Sequence, residues 1–297
     1  MVDIRDETFD GTFPFAPHYR TVNGFAMHFV DEGAGEPVVF VHGDPTWGYL
    51  WRRCIPPLSA RYRCVVPDHM GMGKSGTPPE RERYRLAQHI DNLERLLLAL
   101  DLSGITLVLH DWGGPVGLGF AVRHRDRVKR LALMNTWAFA PWPGGPLPRL
   151  LEIIRSRRGE HFVLERNGYV EPALMGGTCH PERVSKELLE AYLAPFPTPA
   201  SRVALLCWSR DIPVAEGDPS FAEMKRIERA LGAFDPVPTV VVWGMRDSVL
   251  TAPVLEMWRR ALPRASIVAL EDAGHFLQED APQAVVAALE RFLAAHP

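Results

Sequence analysis

The sequence predicts an α/β fold in which a mostly parallel sheet is flanked by helices and carries an inserted helical cap. Apolar runs typical of buried strands alternate with helical segments between about residues 38 and 137, which is the pattern of a parallel sheet wrapped by helices. The alternation breaks at residues 141–148, which are rich in proline and glycine, and irregular helical segments follow. We therefore expect a core formed by residues 1–137 and 214–297 and a cap formed by residues 138–213.

The first part of the predicted core contains three buried strands and one clear amphipathic helix. Residues 38–41, Val-Val-Phe-Val, form an apolar run that ends in a turn containing glycine and proline. An apolar stripe at helical spacing follows, formed by Leu86, Ile90, Leu93, Leu97 and Leu100. Residues 107–109 and 131–134 are again short apolar runs, and we expect both to be buried strands.

The second part of the core resumes the same alternation after the cap. Residues 240–243 and 267–270 are apolar runs that predict two further strands. Pro282 predicts a final helix that begins after Asp280, because proline is favoured in the first turn of a helix. With 297 residues and 46% hydrophobic composition, the chain can bury one large core without a second independent domain.

Asp111 is the most informative residue, because it stands where a leucine-rich strand stops and a glycine-led helix starts. The sharp turn of a nucleophile elbow places its central side chain in a cleft and directs helix N–H groups towards it. An aspartate that attacks a saturated carbon forms an ester that water can hydrolyse, whereas a serine would form a stable ether. The sequence therefore predicts Asp111 as a nucleophile.

Two residues downstream complete a predicted catalytic triad. Asp247 follows the strand at residues 240–243, and His275 follows the strand at residues 267–270. The order nucleophile, acid, histidine, each just past a strand, is the order described for α/β-hydrolases. We expect His275 to take a proton from water and Asp247 to orient the imidazole.

Two backbone N–H groups are predicted to form an oxyanion hole, those of Asp44 and Trp112. Asp44 lies in the glycine and proline turn after the first strand, and Trp112 directly follows the nucleophile. Trp112 also carries an indole N–H, which is a donor without acceptor capacity and suits a departing halide.

Five sequence blocks, in this order and over nearly the whole chain, resemble the haloalkane dehalogenases. The blocks are residues 42–52, 67–75, 110–115, 243–247 and 272–280. The resemblance implies an α/β-hydrolase fold and hydrolysis of haloalkanes to alcohol, halide and proton through an aspartyl ester, without a cofactor or a metal. Some dehalogenases carry the catalytic acid as a glutamate after the sixth strand, where this chain has Asn135. It is therefore similar to the members with an Asp-His-Asp triad, a group that also holds the β-lactone decarboxylases.

Asp44 departs from the pattern of that group. Most of its members have an asparagine here whose amide helps hold the halide, and an ionised carboxylate cannot do so beside another anion. Asp44 must therefore be turned away, protonated or suited to a different leaving group. The resemblance leaves Trp137 as a candidate second ligand for halide or substrate, besides Trp142 and Trp208 of the predicted cap.

Three other functions are compatible with parts of this pattern. A β-lactone decarboxylase would use the same nucleophile and would bind no halide. An epoxide hydrolase would need cap tyrosines, for which Tyr169 and Tyr192 are available, to protonate the ring oxygen. A binding protein with this fold would not need all three triad residues. A nucleotide site at residues 73–75, Gly-Lys-Ser, is not expected, because the first glycine of a phosphate-binding loop is replaced by Asp68.

Composition and charge favour a small apolar partner, a haloalkane or a related compound. The net charge of −3 gives no basic surface for nucleic acid or membrane. The acidic start of the chain is unlike a secretory leader, and no long uncharged apolar run is present, so we expect a cytoplasmic monomer or small homo-oligomer. The scattered cysteines, Cys54, Cys64, Cys179 and Cys207, predict free thiols and no metal cluster.

Overall fold

An eight-stranded sheet forms the centre of the core. The computed structural model describes residues 4–297, so the first three residues of the predicted core and of the acidic N-terminus lie outside the described residues. The strands are β1 (His18–Val22), β2 (Phe25–Glu32), β3 (Pro37–Val41), β4 (Arg63–Pro67), β5 (Ile105–Asp111), β6 (Val128–Thr136), β7 (Thr239–Gly244) and β8 (Ser266–Leu270). Their spatial order is β1-β2-β4-β3-β5-β6-β7-β8. The β1–β2 and β2–β4 pairs are antiparallel, and all other neighbours are parallel.

Helices flank the sheet and fill the long connection between β6 and β7. The helices are α1 (Ile55–Ser59), α2 (Leu86–Ala99), α3 (Gly113–Arg123), α4 (Arg149–Arg155), α5 (Val170–Gly177), α6 (Lys186–Leu193), α7 (Val203–Arg210), α8 (Phe221–Ala230), α9 (Ala252–Ala261), α10 (Leu277–Asp280) and α11 (Pro282–Ala295). Helices α2, α3 and α8 contact one another, and α11 contacts α1 and β7. The predicted fold class, a mostly parallel sheet flanked by helices, is confirmed.

The strands and helices predicted from apolar runs are present in the structure. The apolar runs that begin at residues 38, 107, 131, 240 and 267 lie in β3, β5, β6, β7 and β8, respectively. The apolar stripe at helical spacing lies in α2. The antiparallel β1–β2 hairpin precedes the region in which the alternation was recognised. Asn23 and Gly24 have positive φ values of 45° and 81° in its two-residue turn, and an Asn-Gly pair between two strands is the signal that could have found it.

The segment between β6 and β7 contains α4 to α8 and one π-helical turn, His161–Glu165. The part with α4 to α7 is tied to the loops of the core by hydrogen bonds. The Trp47 Nε1–H donates to the Ala191 carbonyl at 3.2 Å, and the His275 backbone N–H donates to the Gly177 carbonyl at 2.7 Å. Helix α8 instead packs against α2 and α3. We therefore keep residues 138–213 as the proposed cap and residues 1–137 and 214–297 as the proposed core.

The state of the cysteines and the character of the helices are also defined by the structure. Cys54, Cys64, Cys179 and Cys207 are free cysteines. Over residues 4–297, no helix combines the length and the apolar character that a membrane span requires.

Candidate active site

Asp111 lies in a strained turn between β5 and α3. Its φ of +51° places a non-glycine residue in the left-handed region, which costs conformational energy and is typical of functional turns. Two glycines allow the close packing that this turn requires. A Cβ on Gly113 would lie 2.1 Å from the Val41 carbonyl oxygen, and a Cβ on Gly43 would lie 2.1 Å from Asp111 Oδ1. The Thr136 hydroxyl donates to the Asp111 carbonyl at 2.5 Å. The local sequence thus holds the Asp111 carboxylate in one position.

The three predicted triad residues are brought together. His275 Nε2 lies 3.5 Å from Asp111 Oδ2, and His275 Nδ1 lies 2.8 Å from Asp247 Oδ2. The side chains come from the ends of β5, β7 and β8, and all three residues are buried. The imidazole therefore bridges the two carboxylates, as a base that acts beside Asp111 requires.

Asp247 is fixed by a residue whose role the sequence analysis missed. The Asn135 side-chain amide donates to Asp247 Oδ2 at 2.8 Å and exchanges two hydrogen bonds with the Gly244 backbone. The backbone N–H groups of Val249 and Leu250 donate to Asp247 Oδ1 at 2.7 and 3.0 Å. Burial would raise the pKa of Asp247, but His275 and these hydrogen bonds lower it overall. In the sequence, Asn135 stood out only because some dehalogenases have their catalytic glutamate at this position. In the structure, its side-chain amide helps keep Asp247 charged and in place.

His275 is held between two negative charges. Burial lowers the pKa of the imidazole, but Asp247 and Asp111 outweigh that effect and raise the pKa to about 10. The two carboxylates therefore favour the protonated form of the imidazole in the resting site. Loss of the charge on Asp111 would remove part of this stabilisation and lower the pKa of His275.

The predicted oxyanion hole has one donor already in place. The Asp44 backbone N–H donates to Asp111 Oδ1 at 3.0 Å. Trp112 lies at the N-terminus of α3, directly after Asp111. One carboxylate oxygen is thus bound on the side of Asp44, and the other faces His275.

A mostly apolar cavity of about 180 Å³ adjoins Asp111. The tryptophans that line it are Trp112, Trp137 and Trp142. The Trp137 ring lies 5.0 Å from Trp112 and 5.1 Å from Trp142, measured between ring centroids. The Nε1 atoms of Trp137 and Trp142 are buried and have no hydrogen-bond partner among the described residues. The cavity therefore offers a small substrate walls that are mostly apolar and are formed in large part by indole rings.

Trp208 packs against the wall of the cavity but does not line it. Its ring lies 3.8 Å from the ring of His89 and 4.8 Å from that of Trp112, measured between centroids, and it is not among the residues that line the cavity. Of the two cap tryptophans considered as second halide ligands, only Trp142 lines the cavity.

The Asp44 side chain lies in the site and is not turned away from it. Asp44 lines the cavity, and its Oδ2 accepts hydrogen bonds from the Tyr169 hydroxyl at 2.8 Å and the Ser209 hydroxyl at 3.1 Å. Burial raises the pKa of Asp44 well above its ordinary value, the charge of Asp111 adds to this effect, and the two hydrogen bonds oppose it. Ser209, which reaches Asp44 from α7, has no recognisable signal in the sequence.

The two tyrosines considered for epoxide chemistry are not both available. Tyr169 lines the cavity, but its hydroxyl donates to Asp44. The Tyr192 hydroxyl donates to Glu279 at 2.6 Å, and Tyr192 is not among the cavity-lining residues. The arrangement does not present a pair of free tyrosine hydroxyls to a ring oxygen.

The Gly-Lys-Ser sequence at residues 73–75 is part of a structural loop. Asp68 accepts hydrogen bonds from the Lys74 backbone N–H at 2.8 Å and from the Gly48 N–H at 2.6 Å. The Lys74 ammonium donates to the carbonyls of Arg5 and Glu7. These groups therefore stabilise the loop, as expected for a sequence that only mimics a phosphate site.

Known proteins with similar sequences and structures share this architecture. A family model described as alpha/beta hydrolase fold matches residues 36–156. A cis-3-alkyl-4-alkyloxetan-2-one decarboxylase from Xanthomonas campestris pv. campestris is 39% identical, covering 96% of this chain and 98% of that protein. A haloalkane dehalogenase from Sphingobium indicum is 35% identical, covering 95% and 97%. The crystal structure of the haloalkane dehalogenase DatA from Agrobacterium tumefaciens C58 superposes with a TM-score of 0.86 at 28% identity, covering 95% and 97%.

Proposed function

This chain belongs to the haloalkane dehalogenase-like group of α/β-hydrolase fold enzymes, and from that premise we propose that it hydrolyses carbon–halogen bonds of small apolar substrates. The observation that carries the proposal is the position of the Asp111 carboxylate, which faces His275 at 3.5 Å beside a tryptophan-lined cavity of about 180 Å³. A carboxylate in a small apolar cavity is suited to attack a carbon that bears a weakly hydrated leaving group.

In the first step, Asp111 Oδ2 forms a bond to the saturated carbon, and the carbon–halogen bond breaks. The halide leaves with the bonding electron pair towards the indole N–H of Trp112, with Trp137 as a further proposed ligand. Asp111 Oδ1 becomes the carbonyl oxygen of the ester and stays against the Asp44 N–H, which donates to it at 3.0 Å. The product of this step is an aspartyl ester and a halide ion.

In the second step, water attacks the carbonyl carbon of the ester. Ester formation removes the negative charge of Asp111, so the pKa of His275 falls from its resting value of about 10 and the imidazolium releases its proton to solvent. His275, held by Asp247 at 2.8 Å, then takes a proton from the water as the water oxygen bonds to that carbon, and the N–H groups of Asp44 and Trp112 stabilise the oxyanion. The bond between the carbonyl carbon and the alkoxide oxygen then breaks, the alkoxide takes the proton of the new carboxyl group, and Asp111 is restored as a carboxylate.

A second candidate function is decarboxylation of a β-lactone, favoured by the 39% identical relative and by the Asp44 carboxyl in the leaving-group region. Asp111 would attack the ring carbon that bears the ring oxygen, and the carbon–oxygen bond would break to give a carboxylate. Loss of carbon dioxide and departure of Asp111 would then form an alkene. This route consumes no water and does not need His275 as a base.

The proposal is tested by halide release from a panel of short bromoalkanes. We expect the native protein to release bromide and Asp111→Ala to release none, because the variant lacks the nucleophile. Asp101→Ala is the matched control, since Asp101 has a side chain that is 92% exposed. Bromide release that persists in Asp111→Ala, or no release from the native protein, would contradict the proposal. Alkene and carbon dioxide from a β-lactone, without bromide release, would support the second candidate.

A further inference from the structure

The loop that carries the proposed base, residues 274–276, is in backbone contact with the proposed cap. The Gly177 carbonyl, at the end of α5, accepts hydrogen bonds from the His275 N–H at 2.7 Å and from the Phe276 N–H at 3.4 Å. A Cβ on Gly274 would lie 2.5 Å from the same carbonyl oxygen, and a Cβ on Gly177 would lie 2.5 Å from the Phe276 ring. The position of the His275 backbone is therefore coupled to the position of the cap.

One buried carboxylate, that of Asp280 at the end of α10, joins the same two segments. From the core side, the Gly274 N–H donates to its Oδ2 at 2.8 Å. From the cap side, the Cys179 N–H donates to Oδ2 at 2.9 Å and to Oδ1 at 3.1 Å, and the His180 N–H donates to Oδ1 at 3.3 Å. Asp280 is 7% exposed, and a carboxylate makes stronger hydrogen bonds to backbone N–H groups than a neutral acceptor does. Asp280 thus bridges the segment after α5 and the His275 loop.

The other contacts that hold His275 come from the core. The His110 Nε2–H donates to the His275 carbonyl at 2.8 Å, and Asp247 Oδ2 lies 2.8 Å from Nδ1 of the imidazole. On its N-terminal side, the backbone of His275 is held by Gly177 and Asp280. Loss of that hold would let the imidazole move relative to Asp111, from which it is separated by 3.5 Å.

We propose that Asp280 is a positioning residue, which ties the His275 loop to the cap and so holds the imidazole at its distance from Asp111. Asp280 is not among the residues that line the cavity, so it acts through His275 and not on the substrate. The inference rests on the proposed function in that His275 is the base of ester hydrolysis. Because Gly177 lines the cavity as well, the same contacts close the cavity and place the base.

This role predicts an effect on one of the two steps of the reaction. Asp111 forms the ester without a base, whereas water attacks the ester only with His275 in place. In Asp280→Asn, an amide NH2 group replaces one carboxylate oxygen and meets the backbone N–H groups as a further donor. We expect the loop to shift and ester hydrolysis to slow on the order of 100-fold, the cost of displacing a reacting group by about 1 Å. Ester formation should keep its native rate.

Rapid-mixing measurement of bromide release from 1-bromohexane separates the two steps. We expect Asp280→Asn to release a burst of bromide stoichiometric with its active sites at the native rate of ester formation. Slow turnover should follow, while the hexyl ester accumulates on the peptide that contains Asp111. Asp218→Asn is the matched control, because Asp218 also accepts from two backbone N–H groups, at 2.7 and 2.9 Å, and is not among the cavity-lining residues; both of its steps should keep native rates. Equal slowing of both steps in Asp280→Asn would show a role in stability alone and would overturn the proposal, as would native rates in both.

Amide hydrogen exchange gives a second measurement that needs no substrate. In Asp280→Asn we expect faster exchange at Gly274, which loses its acceptor, and also at His275, whose acceptor is Gly177 of the cap. Asp218→Asn should exchange at the native rate at both positions. Faster exchange at Gly274 alone would show that Asp280 does not tie the base to the cap and would overturn the proposal. If both amides exchange faster while no haloalkane releases halide from the native protein, the tie through Asp280 stands and the dehalogenase function fails.

Discussion

Asp44 shows how one residue can change the electrostatics of a site without changing its geometry. Its backbone N–H still contacts Asp111, as the oxyanion-hole prediction requires, while its side chain adds a second carboxyl group to the cavity. The conflict between this carboxyl and a bound halide is visible in the sequence. Its surroundings are not, because Tyr169 and Ser209 approach Asp44 from 125 and 165 residues further along the chain.

The raised pKa of Asp44 predicts that the effect of this residue on stability depends on pH. In the unfolded chain an aspartate has a pKa near 3.9, and the native pKa is raised, so native stability is lost as pH rises between the two values. The loss is about 1.4 kcal/mol for each unit by which the native pKa is raised. We therefore expect Asp44→Asn to raise Tm relative to the native protein more at pH 8 than at pH 4. Calorimetry at both pH values, with Asp101→Asn as the control, checks this; a difference that does not vary with pH would contradict it.

The elements around Asp111 are predictable because the signals are local. A strand that ends in Asp-Trp-Gly-Gly, and two later strands that end near an acid and a histidine, were enough to predict that Asp111, Asp247 and His275 form one cluster, and the structure brings them together. The roles of Asn135 and Ser209 depend instead on side-chain contacts across the sheet and the cap. Such contacts have no periodic signal in the sequence, so these two roles were missed.

Gly43, in the loop after β3, lies close to the Asp111 carboxylate, and its substitution tests whether this close approach matters for the reaction. A methyl group on Gly43 would lie 2.1 Å from Asp111 Oδ1, so Gly43→Ala must displace either the carboxylate or the loop. Displacement of a reacting group by about 1 Å costs on the order of 100-fold in rate, and we expect a loss of that size in kcat for bromide release. Gly232→Ala is the matched control, because nothing lies within 4 Å of a Cβ at that position. Equal rates for the two variants would contradict the close approach.

At the scale of the whole molecule, a hydrogen bond from the cap reaches a buried ion pair of the core. Arg52 binds Glu279 of α10 through two hydrogen bonds of 2.5 and 2.8 Å, and Tyr192 of α6 donates to the same carboxylate at 2.6 Å. Burial would raise the pKa of Glu279, but Arg52 and Tyr192 lower it overall. These contacts connect three parts of the chain: the region after β3, which holds Arg52, α10, which holds Glu279, and the proposed cap, which holds Tyr192.

Removal of the charge on Glu279 should destabilise the protein. Glu279→Gln leaves the buried guanidinium of Arg52 without its counter-ion, and loss of one member of a buried pair costs about 3–5 kcal/mol. Urea unfolding measures this change. Glu80→Gln is the control: Glu80 pairs with Arg83 at 3.5 Å on the surface, with 49% of the Glu80 side chain exposed, and we expect at most about 0.5 kcal/mol there. A similar small effect for both variants would show that the cap does not depend on this link.

The overall architecture was predictable because apolar runs and helical stripes recur along the core. The predicted strands lie in the parallel part of the sheet, and the proline-rich stretch at residues 141–148 precedes the helices of the proposed cap. The sequence could not distinguish Trp142, which lines the cavity, from Trp208, which packs against His89 and Trp112. Trp142 lies in the proline-rich stretch and Trp208 in α7, and only the packing of the cap on the core shows which of them reaches the cavity.

The central claim is that Asp111 forms an ester with a saturated carbon, and intact-protein mass spectrometry tests it most directly. A His275→Phe variant incubated with 1-bromohexane lacks the base that activates water, so the reaction should stop at the ester. We predict a mass increase of one hexyl group, located on the peptide that contains Asp111, and no increase in the His275→Phe, Asp111→Ala double variant. An unmodified His275→Phe protein, under conditions in which the native protein releases bromide from the same compound, would contradict the account.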